Sequence, residues 1–250
     1  MKSADKYTRY IILSTPRSGS NFLSQLLHSH GRIVSFGEIY NPYTVWGSPA
    51  ETSWEHSRVM RLYRNLFPQR FLEKRVYRSY ASDMAAVGFR LFYDHIDNTR
   101  FTCIANRIRE SRDIRIIHLV RQNALRTAVS FLIAKKTGTW MLWESRKRDK
   151  PSVYIDPDAC IRRIAQIQEW QTKYAGFFPD NPMITVTYEH LCTHTRSESA
   201  KILKFLRVPP RALVTDMVKQ NPFSLREIVT NYSDLNRAVS ATRWRHMLHE

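Results

Sequence analysis

Residues 10–23 constrain the fold of this chain more than any other stretch. A short apolar run leads into Thr15-Pro16-Arg17-Ser18-Gly19-Ser20, and apolar residues at helical spacing follow. This order predicts a strand, a tight loop and then a helix. A loop of this kind turns backbone N–H groups and the positive end of a helix toward an anion. A plain strand-turn-helix corner is the alternative, because short Gly/Ser turns before helices are common.

The same loop carries a positive charge of its own. Arg17 offers a planar, bidentate fork, and the residues predicted to bind the anion with it are Ser18, Gly19, Ser20 and Asn21. Gly19 lets the backbone come close to a ligand. The loop is not a Walker A motif, because the leading Gly of that motif is missing and Arg17 stands in place of its Lys.

Length and charge narrow the class of protein. A chain of 250 residues can bury a full core, and we expect one domain over residues 1–250. The net charge of +17 favours a polyanionic or phosphorylated partner, such as nucleic acid, anionic lipid or a nucleotide. Three widely spaced cysteines argue against a disulfide framework, and no apolar stretch approaches the length of a membrane span. These features predict a soluble, cytoplasmic protein.

Strand-like and helix-like segments alternate along the chain. The predicted strands are residues 10–13, 33–36, 85–92, 114–120 and 183–187. Helices are expected from Phe22 to about His30, over 54–80 with a break at Pro68, around Ile104 and Ile108, and over 124–136 and 156–178. The fold class predicted is therefore α/β, with a three-layer, P-loop-like parallel sheet and helices on both faces.

In a parallel sheet of this kind the ligand site lies at the carboxyl ends of the strands. That rule brings together the 15–20 loop, Glu38, the 93–95 segment with His95, Arg121 and Tyr188. Glu38 would lie near the loop if the first two strands are neighbours.

A second candidate for anion binding follows the fourth strand. Arg121 stands just before a helix, and Ser130 lies on that helix. The two side chains could bind one phosphate at two points.

These residues resemble those of sulfotransferases that use 3′-phosphoadenosine-5′-phosphosulfate (PAPS). That family has a P-[KR]-[ST]-G-[ST] loop for the 5′-phosphosulfate and a strand-Arg…Ser-helix segment for the 3′-phosphate. The chain is most similar to the bacterial carbohydrate branch, which includes the trehalose and rhizobial nodulation-factor sulfotransferases. The matching segments here are Arg17-Ser18-Gly19-Ser20, Gly37-Glu38, residues 121–130 and Thr137-Gly138-Thr139-Trp140. Val186-Thr187-Tyr188-Glu189-His190-Leu191 resembles the V-x-Y-E-D-L strand end of the family.

The resemblance implies transfer of a sulfuryl group from PAPS to a hydroxyl of a carbohydrate or glycolipid, without a metal. Arg17 would neutralise charge on the departing nucleotide, Ser20 and Asn21 would donate to phosphate oxygens, and Glu38 would be the general base. His95 is the second candidate for the base. For Glu38 the structural alternative is a capping or solvated carboxylate, and for His95 it is a hydrogen-bonded pair with Asp94.

Two other function classes remain open from the sequence. One is a P-loop kinase-like phosphotransferase, which the missing Gly-Lys pair disfavours. The other is a basic nucleic-acid-binding domain, which would explain the charge but not the order of the motifs. The animal cytosolic R-K-G-x-x-G-D-W signature is absent, so the residues that close over the nucleotide are not identified.

A basic run between residues 61 and 78 has two interpretations. It contains Arg61, Arg64, Arg70, Lys74, Arg75 and Arg78. The simpler interpretation is a solvated face, and the functional one is contact with an acidic acceptor or a membrane surface. The oligomeric state is left open by the sequence.

Overall fold

The computed structural model of the chain describes residues 7–81, 83–138, 140, 150, 152–215 and 223–249. The chain divides into two compact units. The first contains Met1–Val120 and Tyr174–Thr215, and the second contains Arg121–Lys173 and Asp216–Glu250. Whether the chain behaves as one domain stays a prediction.

A five-stranded parallel sheet forms the centre of the first unit. Its strands are β1 (Thr8–Ser14), β2 (Ile33–Phe36), β3 (Ala86–Phe92), β4 (Arg115–Val120) and β5 (Met183–Thr187). Their order across the sheet is β2-β3-β1-β4-β5, with every neighbouring pair parallel. All five predicted strands are therefore present, and the predicted α/β class is confirmed.

Both faces of the sheet are buried. Tyr10 and Ile12 of β1 pack with helices α1 (Ser20–His28) and α9 (Thr195–Leu206) on one face. The alternate residues Ile11 and Leu13 point to the opposite face and are also fully buried. Near-continuous apolar strands of this kind are expected where a parallel sheet is covered on both sides.

The condition under which Glu38 would lie directly beside the loop is not met. Strands β1 and β2 are not neighbours, because β3 lies between them and pairs with both. All seven residues of β3 are buried, which suits the inner position. The candidate base Glu38 is thus separated from the anion loop by one strand.

Helices form in each segment where one was predicted, and further helices lie where none was expected. The remaining helices of the first unit are α2 (Arg58–Leu66), α3 (Pro68–Phe71), α4 (Tyr93–Asp97), α5 (Thr102–Glu110) and α8 (Tyr188–Thr193). Short 3₁₀ turns span Thr52–His56 and Thr99–Phe101, and a π-helical turn spans Leu72–Val76. Pro68 divides the predicted 54–80 helix by starting α3, since proline is tolerated at the first helical position.

The second unit is helical and has a core of its own. It contains α6 (Ala124–Thr137), most of α7 (Pro157–Ala175), α10 (Leu225–Ile228), α11 (Tyr232–Ser240) and a 3₁₀ turn at Arg245–Leu248. Leu125, Ile164 and Leu235 are among its fully buried residues. Across the described parts of both units, no helix is long and apolar enough to cross a membrane.

Candidate active site

The loop between β1 and α1 has the backbone of an anion-binding turn. Arg17 and Gly19 both have left-handed conformations, with φ of 71° and 92°. Between them the Ser18 hydroxyl donates to the Thr15 carbonyl at 2.8 Å, which closes the turn. Arg17 is not a glycine, so its conformation costs about 1–2 kcal/mol. Strain of this kind is found preferentially at ligand-binding sites.

Helix α1 begins directly after this turn. Its first backbone hydrogen bond runs from the Leu23 N–H to the Gly19 carbonyl at 3.1 Å. The N–H groups of Ser20, Asn21 and Phe22 precede that bond, so no carbonyl of the helix accepts from them. They point out of the positive end of the helix, where an oxyanion is stabilised.

Tyr188 packs directly on this loop. The residue follows β5 and begins α8. A Cβ added to Gly19 would lie 2.2 Å from Cδ2 of the Tyr188 ring, so only glycine fits beneath it. The structure therefore places Tyr188 beside the loop, as the strand-end rule predicted.

Arg90 lies on β3, the strand between β1 and β2, and its side chain connects the loop to Glu38. Its Nη1 donates to Oδ1 of Asn21, the second residue of α1. The same nitrogen lies 3.5 Å from Oε1 of Glu38, and the Asn41 amide donates to Glu38 Oε2 at 3.0 Å. The carboxylate is therefore held in place by a cation and an amide, and it is connected to the start of α1 through one side chain.

Arg90 is buried, which strengthens its electrostatic interaction with Glu38. Arg90 is almost inaccessible to solvent, and desolvation lowers its pKa, while the charge of Glu38 acts in the opposite direction. Arg90 is not among the predicted site residues, because it lies within a segment whose other residues are almost all apolar. The signal was present, since a lone charge within a doubly buried strand requires a paired partner.

The segment that carries Glu38 is fixed by further contacts. Gly37 lies against Trp46, where an added Cβ would be 2.5 Å from the Trp46 Cβ. The carbonyl of Ile39 accepts a hydrogen bond of 2.5 Å from the buried guanidinium of Arg64. Glu38 itself stays partly exposed to solvent, as a group that meets a substrate must.

His95 lies in a different environment. The side chain is buried, and its Nδ1 accepts a hydrogen bond of 3.4 Å from the Phe92 N–H at the start of α4. Burial, with the nearby charges of Arg64 and Arg90, lowers the pKa of His95 to about 3. These contacts favour a capping role. A catalytic role for His95 stays a prediction that the structure does not support.

The neighbouring Tyr93 also has a structural role. Its hydroxyl lies 2.7 Å from Nε2 of the buried His118 on β4, and its ring stacks on Tyr174 at 4.7 Å. Tyr174 in turn donates to Asp97 at 2.7 Å. Burial lowers the pKa of His118 to about 4, so it is neutral near pH 7. The 93–95 segment thus anchors the end of β3.

Arg121 and Ser130 belong to the second unit. Arg121 is partly exposed, and its carbonyl accepts a hydrogen bond of 3.2 Å from Gln171. Asn123 caps α6 by accepting from the Arg126 N–H at 2.9 Å, and Ser130 is partly exposed on that helix. Their assignment to a phosphate stays a prediction.

Comparison with known families decides the class of this protein. A sequence model of the sulfotransferase family matches residues 10–211. The chain belongs to the sulfotransferase family. Its predicted activity, sulfuryl transfer, is therefore confirmed over the kinase-like and nucleic-acid-binding alternatives.

Individual relatives support the branch as well as the family. The sulfotransferase is 22% identical over 235 residues to nodulation protein H of Rhizobium tropici. The matched region covers 91% of this chain and 88% of that protein. The chain is 23% identical over 230 residues to nodulation protein H of Rhizobium meliloti strain 1021, covering 90% and 89%. The predicted likeness to the rhizobial nodulation branch is thus confirmed at low identity.

A solved structure shares the fold. The sulfotransferase domain from the curacin biosynthetic pathway superimposes with a TM-score of 0.52 at 13% identity, over 91% of this chain and 86% of that one. This similarity concerns the arrangement of the sheet and helices only.

The contact between Gly19 and Tyr188 leads to a prediction about stability. Gly19→Ala should lower the melting temperature of the sulfotransferase more than Gly31→Ala does. Both glycines are left-handed, with φ of 92° and 79°, so both variants carry a conformational cost of about 1–2 kcal/mol. Only at Gly19 does the new methyl group collide with a ring, since the nearest atom to a Cβ on Gly31 lies at 3.5 Å.

Thermal unfolding of the two single variants and of a Gly19→Ala/Tyr188→Ala double variant separates the two causes. The double variant should recover the steric part of the loss. Equal losses for Gly19→Ala and Gly31→Ala would mean that Tyr188 does not press on the loop.

Proposed function

We propose that this sulfotransferase takes its sulfuryl group from PAPS and transfers it to a hydroxyl of a carbohydrate or glycolipid. The observation that carries the proposal is the Asn21-Arg90-Glu38 connection, which joins a carboxylate to the start of an anion-binding helix. A base and an anion site held together are what transfer of a charged group to a hydroxyl requires. The carbohydrate class of acceptor is inferred from the rhizobial relatives.

The loop fits a phosphosulfate group. Open N–H groups at Ser20 and Asn21, together with the left-handed backbone at Arg17 and Gly19, form a concave set of donors. In our proposal Ser18 shapes this turn and the guanidinium of Arg17 supplies the positive charge. The donors are fixed by the fold before a ligand arrives, so little reorganisation is needed.

The proposed chemistry is an in-line displacement. Glu38 takes the proton from the acceptor hydroxyl as its oxygen forms a bond to sulfur. The bond between sulfur and the bridging oxygen of the donor breaks, and Arg17 neutralises the charge left on that oxygen. The products are the sulfated acceptor and 3′-phosphoadenosine-5′-phosphate. The protein contributes mainly positioning and electrostatic stabilisation, as in phosphoryl transfer.

The role of Glu38 can be tested with a substitution that keeps its shape. Glu38→Gln should retain nucleotide binding but lose about 10²–10⁴ in kcat, because an amide cannot accept the proton. The measurement is transfer of labelled sulfate from PAPS to a carbohydrate acceptor. Glu55→Gln, which changes a carboxylate on the neighbouring 3₁₀ turn, is the matched control and should be near wild type. A loss below tenfold for Glu38→Gln would exclude Glu38 as the base.

Arg90 should act through Glu38 rather than on the substrate. We expect Arg90→Met to lower kcat about 10–100-fold, the equivalent of one charge-assisted hydrogen bond. If Arg90 acts only by holding Glu38, the double variant Arg90→Met/Glu38→Gln should be no slower than Glu38→Gln alone. Arg90→Lys keeps the charge and should restore part of the lost kcat.

The double variant distinguishes this positioning role from an independent one. If the losses of Arg90→Met and Glu38→Gln multiply in the double variant, Arg90 does not act through Glu38. Calorimetric binding of 3′-phosphoadenosine-5′-phosphate shows whether the variant still folds around its nucleotide site.

The nucleotide itself is tested through its 3′-phosphate. We propose that Arg121 and Ser130 bind this group and that Tyr188 contacts the nucleotide end held by the loop. Calorimetry should show tighter binding of 3′-phosphoadenosine-5′-phosphate than of adenosine 5′-phosphate, by about 1.5–3 kcal/mol for each charge-assisted bond. Arg121→Gln should remove most of this difference, and Arg162→Gln, at an exposed position on α7, should leave it unchanged. Equal affinity of the wild type for the two nucleotides would contradict the assignment.

A further inference from the structure

Helix α2 turns its apolar residues toward solvent. Val59, Leu62 and Leu66 recur at the spacing that places side chains on one face of a helix, and their exposed fractions are 78%, 58% and 61%. The most buried residue of this helix is Arg64. An ordinary surface helix does the reverse and buries its apolar stripe, so this face requires an explanation.

The inward position of Arg64 is well determined. Besides the Ile39 carbonyl, its guanidinium bonds to the Asn65 side chain at 2.8 Å and lies 4.8 Å from the centre of the Phe101 ring. Burial lowers its pKa to about 10, so the group stays charged near pH 7. These contacts fix the rotation of α2 and leave the leucines outside.

The exposed apolar surface extends beyond the helix. Phe67, the residue after α2, is 52% exposed, and Tyr43 is 81% exposed. The Tyr43 carbonyl accepts a hydrogen bond of 2.8 Å from Arg61, which joins that loop to α2. We call this surface the α2 patch, and it consists of Tyr43, Val59, Leu62, Leu66 and Phe67.

Basic residues accompany the α2 patch. The exposed cations between residues 58 and 75 are Arg58, Arg61, Arg70, Lys74 and Arg75. The one acidic residue in that span is Glu73, which bonds to Arg107 at 2.6 Å. The segment that carries most of the apolar surface is therefore strongly basic.

We propose that the α2 patch binds the surface of an anionic membrane. A helix with leucine and aromatic residues on one face and arginines at its side is the type that inserts at the interface of a bilayer. Aromatic rings such as those of Tyr43 and Phe67 are favoured at that depth. The cations would meet acidic headgroups while the leucines enter the acyl boundary.

The charge of this surface favours a membrane over a second copy of the chain, and its apolar residues favour a membrane over a polar acidic partner. Two copies of the chain joined through the α2 patch would bring two sets of arginines together, which opposes association. A purely polar acidic partner would leave Leu62 and Leu66 without apolar contacts. An anionic membrane offers headgroups to the cations and acyl chains to the apolar residues. The proposal does not depend on the identity of the acceptor, since no residue of the α2 patch is assigned a part in sulfuryl transfer.

Vesicle sedimentation tests the proposal with the full chain. The protein should bind vesicles of equimolar phosphatidylcholine and phosphatidylglycerol, and should bind phosphatidylcholine alone much less. Leu62→Ser/Leu66→Ser should reduce the partition coefficient by at least about tenfold, because both side chains leave the acyl region. Lys74→Gln should reduce it roughly fivefold.

Two single changes have matched controls elsewhere in the first unit. Val59→Ser removes a third apolar side chain of the α2 patch and should also weaken binding, and it is compared with Val214→Ser, since Val214 is 69% exposed on the segment after α9. Lys74→Gln is compared with Lys204→Gln on the exposed face of α9. The proposal requires that Val59→Ser and Lys74→Gln lose binding while both controls keep it.

Three outcomes overturn the proposal. Equal losses in the variants and their controls would mean that the whole basic surface binds, and not this face. Binding that is unaffected by Leu62→Ser/Leu66→Ser would reduce the interaction to adsorption of a cation on a polyanion. A wild type that sediments as a dimer and a double-serine variant that sediments as a monomer would identify a second copy of the chain as the occupant.

Discussion

The geometry of the candidate site depends on one buried cation. Arg90 lies on a strand whose residues are all buried, and its Nη1 contacts both Asn21 and Glu38. A buried charge is tolerated only when it is paired and hydrogen-bonded. Removing a partner from such a pair typically costs about 3–5 kcal/mol, because the remaining charge is left buried and uncompensated. The requirement to satisfy Arg90 therefore holds the start of α1 and the carboxylate at a fixed separation.

This arrangement also explains why the strand order matters for function. With β1 and β2 as neighbours, Glu38 would lie beside the loop without an intermediary. Insertion of β3 between them moves the carboxylate one strand away, and the long side chain of Arg90 spans the gap. Strand β3 thus separates the anion loop from the proposed base and also supplies Arg90, the residue that connects them.

The sequence predicted the elements of the fold much better than their arrangement. Apolar runs and helical spacing are local properties, so the bounds of β2 and β5 agree with the structure residue for residue. Strand order is set by contacts between distant segments, and periodicity does not encode it. The same distinction between local and distant contacts applies to the candidate site. A tight turn at Gly19 could be expected from local composition, whereas the partners of Arg90 come from two other elements and could not.

The buried face of helix α2 also could not be predicted from the spacing of its apolar residues. Its apolar residues have helical spacing, and the usual inference is that they face the core. The structure reverses this, because Arg64 finds acceptors and an aromatic ring beneath the helix. The Ile39 carbonyl, one of those acceptors, follows Glu38 directly in the chain. The contact that turns the leucines outward is thus one that fixes the segment carrying the proposed base. The orientation of the α2 patch and the position of the segment that carries Glu38 therefore depend on the same hydrogen bond between Arg64 and Ile39.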